Sequence, residues 1–147
     1  MFKHIMLPTD GSELSQRAVK ACVQMAKEVE ARITTINVQP DYVVPAMAEL
    51  PVLPPYTPEE FRENARQKSV EILGFVTAEA AAAGVACAPL SVVSDTPWDS
   101  IVKACDEHGC DLIMMASHGR GGLAALILGS ETQKVLTHSK VPVLVHR

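Results

Sequence analysis

Several kinds of chemistry are missing from this sequence. It contains no Gly-x-x-x-x-Gly-Lys-Ser/Thr segment, so the phosphate cradle of the P-loop enzymes has no counterpart and fast phosphoryl transfer is not expected. Its four cysteines, Cys22, Cys87, Cys105 and Cys110, form no Cys-x-x-Cys pair. Their apolar or helical neighbours suit reduced packing residues in the cytoplasm, not a disulfide framework. His4, His108, His138 and His146 fall at separate strand or helix ends without clustered carboxylates or cysteines. That argues against a metal site built by the protein alone and makes solvated surface histidines the expectation. Positive charge is short too: 13 Lys and Arg against 17 Asp and Glu give a net charge of −4, too little basic surface to follow a nucleic-acid backbone. No basic leader precedes an apolar segment, and the apolar run 123–128 is far too short for a bilayer core of about 30 Å. Neither nucleic acid nor membrane is an expected partner.

What is present is the material of one self-sufficient domain, 1–147, since a chain of 147 residues buries roughly two-thirds of its unfolded surface without a disulfide or metal. Residues 2–7 form an apolar run that stops at Pro8-Thr9-Asp10-Gly11-Ser12, a cluster that ends a strand and offers side-chain oxygens to start a helix. Ala18, Ala21, Cys22, Met25 and Val29 then recur at helical spacing, and 33–38 reads as a second buried strand. Pro40, Pro45, Pro51, Pro54 and Pro55 make 39–57 a long surface loop. Thr57-Pro58-Glu59-Glu60 has the pattern of a capping box with proline at the first helical position. The helix it opens runs to Ala83, with Phe61, Ala65, Ile72, Leu73, Val76 and Ala80 inward and Gly84 closing it. A third strand spans 85–93. Thr96-Pro97 opens a helix that Gly109 ends, with Trp98 packed under the proline-rich loop. A fourth strand, 112–116, a glycine-rich stretch, a capping box at Ser130-Glu131-Thr132-Gln133 and a closing strand, 141–145, complete the chain. Strands alternating with helices require right-handed crossovers and a parallel sheet covered on both faces, with continuously apolar strands. The expected fold is a three-layer α/β/α sandwich.

In such a sheet ligands sit beyond the carboxyl ends of the strands, where the strand order reverses, so the loops after the first and fourth strands are the informative ones. The first holds Pro8, Thr9 and Asp10. The second reads Ala116-Ser117-His118-Gly119, nine residues from Arg120 to Leu128, then Gly129-Ser130. Gly119, Gly121 and Gly122 permit close approach of a ligand, and a helix beginning at Ser130 turns unpaired N–H groups toward a phosphate. His118 and Arg120 add donors for phosphate oxygens. Asp10 either accepts from a ribose, helps hold a metal ion on the phosphates, or caps the first helix. An unpaired Glu131 carboxylate would repel phosphates, a repulsion that magnesium relieves. The glycines also match the loose dinucleotide fingerprint, but they do not follow the first strand, and Lys140 and Val141 stand where its acidic residue belongs; a dehydrogenase is not expected.

The spacing of Gly119 and Gly129-Ser130, preceded by Ser117-His118, resembles the nucleotide-binding signature of the ATP-binding universal stress proteins. The opening Ile5-Met6-Leu7-Pro8-Thr9-Asp10-Gly11-Ser12 and the closing Lys140-Val141-Pro142-Val143-Leu144-Val145 resemble that family's first and last strands. The resemblance implies a five-stranded parallel sheet of order 3-2-1-4-5, of the adenine nucleotide α-hydrolase-like kind. It implies ATP, with or without magnesium, as the ligand: adenine near Pro8, Asp10 and Val38, phosphates on the glycine loop and on Ser130, Glu131 and Thr132. It also implies a homodimer through the last strand. Where the family pattern opens with glycine this chain has Ala116, whose methyl group would crowd the ribose. The expected function is a cytoplasmic stress-response switch that binds ATP and at most hydrolyses it slowly. A nucleotide-free dimeric interaction module and a slow hydrolase on the same sheet are the alternatives.

Overall fold

Strands and helices alternate strictly in the computed structural model, which describes residues 1–43, 56–119 and 128–147. The order is β1 (His4–Pro8), α1 (Glu13–Glu28), β2 (Arg32–Gln39), α2 (Pro58–Ala83), β3 (Cys87–Val93), α3 (Pro97–His108), β4 (Leu112–Ala116), α4 (Ser130–His138) and β5 (Val143–His146). The strands form one sheet in the order β3-β2-β1-β4-β5, every neighbouring pair parallel. This is the three-layer α/β sandwich and the strand order that the sequence leads one to expect. The order reverses between β1 and β4, which places the end of Pro8 beside the end of Ala116.

Side chains alternate across the two central strands and divide the interior into two cores. Ile5, Leu7, Leu112 and Met114 meet Val19, Cys22, Val23 and Ala26 of α1 and Val76 and Ala80 of α2 on one face. Met6, Ile113 and Met115 meet Ile101, Ala104 and Cys105 of α3 and Val135 of α4 on the other. Burial of Cys22 raises its thiol pKa to about 12, so it is a packing residue, as its apolar neighbours suggest.

β4 is continuously apolar, and so is β1 after His4. β2, buried on both faces, carries Thr34 on one and Thr35, Asn37 and Gln39 on the other, and these polar groups are paired within the sheet. Thr35 Oγ1 donates to the Leu7 carbonyl at 3.0 Å, Asn37 Nδ2 to the Thr9 carbonyl at 2.8 Å, and Gln39 Nε2 to Asn37 Oδ1 at 2.6 Å. β3 and β5 hold only partly covered and exposed residues, because each lies at an edge of the sheet. Pro89, within β3, is admissible for that reason.

Other departures also follow from position. His4, expected at the surface, is buried, because β1 lies at the centre of the sheet. Its Nε2 shares a 2.8 Å hydrogen bond with Thr34 Oγ1, Nδ1 has no partner, and desolvation, with Arg32 nearby, lowers its pKa below the ordinary value. Phe61 and Ala65 are only half-buried, since the fully buried residues of α2 begin at Ser69. The 26 residues of α2 span about 39 Å, longer than any strand beneath them. Phe61 packs edge-on against Tyr42 at 5.6 Å instead. Most of the proline-rich loop lies outside the described residues. Trp98 stacks at 4.4 Å on the ring of the exposed His138.

Candidate functional site

The turn after β1 is built from its own side chains. Asp10 Oδ1 accepts from the Ser12 amide at 3.0 Å, and Gly11 takes a positive φ of 77° that glycine alone adopts freely. Ser12, not Asp10, caps α1, accepting from the Ser15 amide at 3.3 Å. Thr9 Oγ1 and Ser15 Oγ lie 2.7 Å apart in the interior. Asp10 therefore closes the turn and faces outward from the strand end.

The end of β4 is clasped by the start of α4. The Gly129 amide donates to the Ser117 carbonyl at 2.9 Å. Thr132 Oγ1 lies 3.2 and 3.3 Å from the carbonyl oxygens of Ala116 and Ser117. A Cβ on Gly129 would lie 3.3 Å from the Ser117 oxygen, and one on Gly119 would lie 2.7 Å from Asp10 Oδ2. Gly119 thus brings the β4 loop close to the β1 turn, and Gly129 lies close to the end of β4.

The capping box expected at Ser130 does not form. Ser130 is the first residue of α4, and Gly129, which has no side chain to offer, holds the cap position. Glu131 is not unpaired either. Its Oε2 accepts from the Trp98 amide at 2.8 Å, and Lys134 Nζ lies 3.3 Å from Oε1. Thr96, the expected cap of α3, makes no side-chain cap bond. The first turn of α3 is capped instead by a carboxylate reaching across from α4.

Between these elements opens a cleft of about 590 Å³. Pro8, Thr9, Asp10, Val38, Ala116, His118, Gly119, Gly129, Ser130, Glu131 and Thr132 all line it, so most of the site residues read from the sequence meet in one place. Ser117 does not line it; it is buried, with its amide on the His146 carbonyl at 2.8 Å. Arg120, Gly121 and Gly122 lie outside the described residues. Ser15, Ile36, Pro97, Ile101, Met115 and Leu128 also line the cleft and were missed. Pro97 and Ile101 arrive through α3, whose proximity to the β1 turn depends on the crossover and not on any local motif.

The lining combines apolar side chains, Ile36, Val38, Ile101 and Met115, with polar ones, Asp10, His118, Ser130, Glu131 and Thr132. His118 Nδ1 is 2.8 Å from Ser117 Oγ, while Nε2 is buried without a hydrogen-bond partner. The starts of α3 and α4 both contribute to the lining, bringing two positive helix ends to one space. Among the described residues no group of three or more His, Cys, Asp or Glu is placed to hold a metal ion, and no helix is long and apolar enough to cross a membrane.

Comparison with known proteins agrees with this architecture. The model of the universal stress protein family matches residues 1–147. A universal stress protein of Thermus aquaticus is 34% identical over 148 residues, which covers all of both chains. The solved structure of MJ0577, a universal stress protein of Methanocaldococcus jannaschii, superposes with a TM-score of 0.80 at 26% identity, covering 99% of this chain and 96% of that one. A universal stress protein solved in complex with cAMP has a TM-score of 0.68 and 26% identity, covering 98% of this chain and 95% of the other.

Proposed function

The chain belongs to the universal stress protein family, and on that premise we propose that residues 1–147 form one domain that binds an adenine nucleotide in the cleft beyond β1 and β4. The observation that carries this reading is the cleft itself, at the reversal of strand order, where open α/β sheets place their ligands. Its volume of about 590 Å³ falls within the 300–1,000 Å³ typical of small-molecule sites. The relative solved with cAMP supports an adenine nucleotide as the ligand class.

ATP is the specific ligand proposed, accompanied by magnesium travelling on its phosphates. The apolar side chains of Ile36, Val38 and Met115 suit the flat face of adenine, and Asp10 is an acceptor for a ribose hydroxyl. The start of α4 offers donors for phosphate oxygens, and His118 lines the same cleft. Binding serves regulation in the cytoplasm in response to stress, and any hydrolysis is slow. A homodimer forms through β5, the edge strand on which Leu144 remains 38% exposed.

A second reading, a nucleotide-free interaction module, draws on Ala116 and Glu131, which bring a methyl group and a carboxylate to the lining of the cleft. Calorimetric titration with adenosine, AMP, ADP, ATP and cAMP, each with and without magnesium, separates the two. The proposal expects saturable binding of adenine ligands and weaker binding of GTP and CTP. It also expects stabilisation of about 2.7 kcal/mol at a hundredfold excess over Kd. Absence of heat and of any thermal shift with every adenine compound at millimolar concentration overturns it in favour of the interaction module.

A further inference from the structure

Glu131 is the one acidic group of the cleft that bridges its two helix starts. It belongs to the first turn of α4, yet its Oε2 accepts from the Trp98 amide at the start of α3 at 2.8 Å. No side chain of α3 takes that cap role. A carboxylate held there occupies a position that helix geometry makes favourable for an anion. Lys134, at 3.3 Å from Oε1, offsets part of the charge from outside, but the side chain still lines the cleft.

We infer that Glu131 sets the charge of the phosphate tail that this cleft accepts, discriminating against highly charged, metal-free tails in favour of a monophosphate or a magnesium-neutralised one. The inference rests on the adenine-nucleotide reading above. With adenine and ribose toward the β1 and β2 ends, the phosphate tail is left the part of the lining formed by Gly129, Ser130 and Glu131. There each added negative charge meets a carboxylate already bonded to the helix end that would otherwise receive it. A metal ion on the tail removes most of that repulsion. The uncharged nucleoside does not experience it at all.

The test uses Glu131→Gln, which keeps an oxygen able to accept from the Trp98 amide while removing the charge. Affinities of wild type and variant for adenosine, AMP and ATP are measured by calorimetry in EDTA. The inference expects no change for adenosine, a gain of about threefold for AMP and about tenfold or more for metal-free ATP, in line with like charges several ångströms apart at a partly solvated site. An equal change for all three ligands marks a purely structural cap and overturns the inference, as does no change for ATP. In both cases adenosine binding survives and the nucleotide reading stands. Failure of adenosine and of every adenine nucleotide to bind either protein overturns both together.

Discussion

Asn37 ties the end of β2 to the end of β1, and replacing it with alanine measures what that tie contributes. The side chain is 2% exposed, and its amide donates at 2.8 Å to the carbonyl of Thr9, a residue that itself lines the cleft. Alanine leaves that buried carbonyl without a donor, which costs about 1–3 kcal/mol, and the lost side-chain contacts add about 1 kcal/mol. Gln39 is buried as well, and its amide, which donates to Asn37 at 2.6 Å, loses its acceptor, which favours the upper part of the range. The expected loss is about 2–4 kcal/mol, a large share of the ~5–15 kcal/mol of a typical domain. Urea titration followed by circular dichroism reads it as a lower midpoint with an unchanged slope. Asn37→Asp sharpens the test. A protonated carboxyl can donate to Thr9, whereas the ionised one places oxygen against oxygen, so its folded pKa is raised above the unfolded ~3.9. Stability is then retained at low pH and lost as pH rises through the folded pKa. An alanine variant within about 0.5 kcal/mol of wild type, or an aspartate variant as stable as wild type at pH 7, refutes the argument that this tie matters.

His4 gives the opposite pH dependence. Desolvation lowers its folded pKa, so below about 6.5 the unfolded chain takes up the proton first and stability falls with pH; wild type should lose more stability than His4→Gln between pH 8 and pH 5.5 in urea titrations. Gly129→Ala inserts a methyl group 3.3 Å from the Ser117 oxygen and 3.4 Å from the His118 Cα. The resulting strain at the clasp should lower stability by about 1–2 kcal/mol, seen as a reduced melting temperature in calorimetry.

Much of the fold was legible because its signals are short-range. The capping box at Thr57 and Glu60 is complete within four residues, and both its bonds form, at 3.1 and 2.8 Å. Gly84 and Gly109 close their helices in the left-handed region. The cap of α3 was illegible, because its acceptor lies 33 residues away and reaches Trp98 only once α3 and α4 pack side by side. Burial of His4 was hidden for a related reason: whether a strand is central or at an edge is set by topology, and the same residue at the start of β3 would be solvated. The buried amide of Asn37 left a faint trace, a polar residue between Ile36 and Val38, but its partner belongs to another strand. Residues in the loops that follow β1 and β4, such as Asp10 and His118, were found by rule, whereas Ile36 and Met115 within the strands, and Pro97 and Ile101, which arrive by crossover, were not.

The two margins of the sheet are chemically unequal. β3, at one edge of the five-stranded sheet, has a proline at position 89, which removes one backbone donor from that strand. β5 has no proline within Val143–His146. Growth of a β-sheet from molecule to molecule needs two receptive margins, one to accept and one to offer. A molecule with a single receptive margin can join a second copy face to face and then has nothing further to extend. The same proline that marks an edge strand thus separates association that closes from association that runs on into fibres.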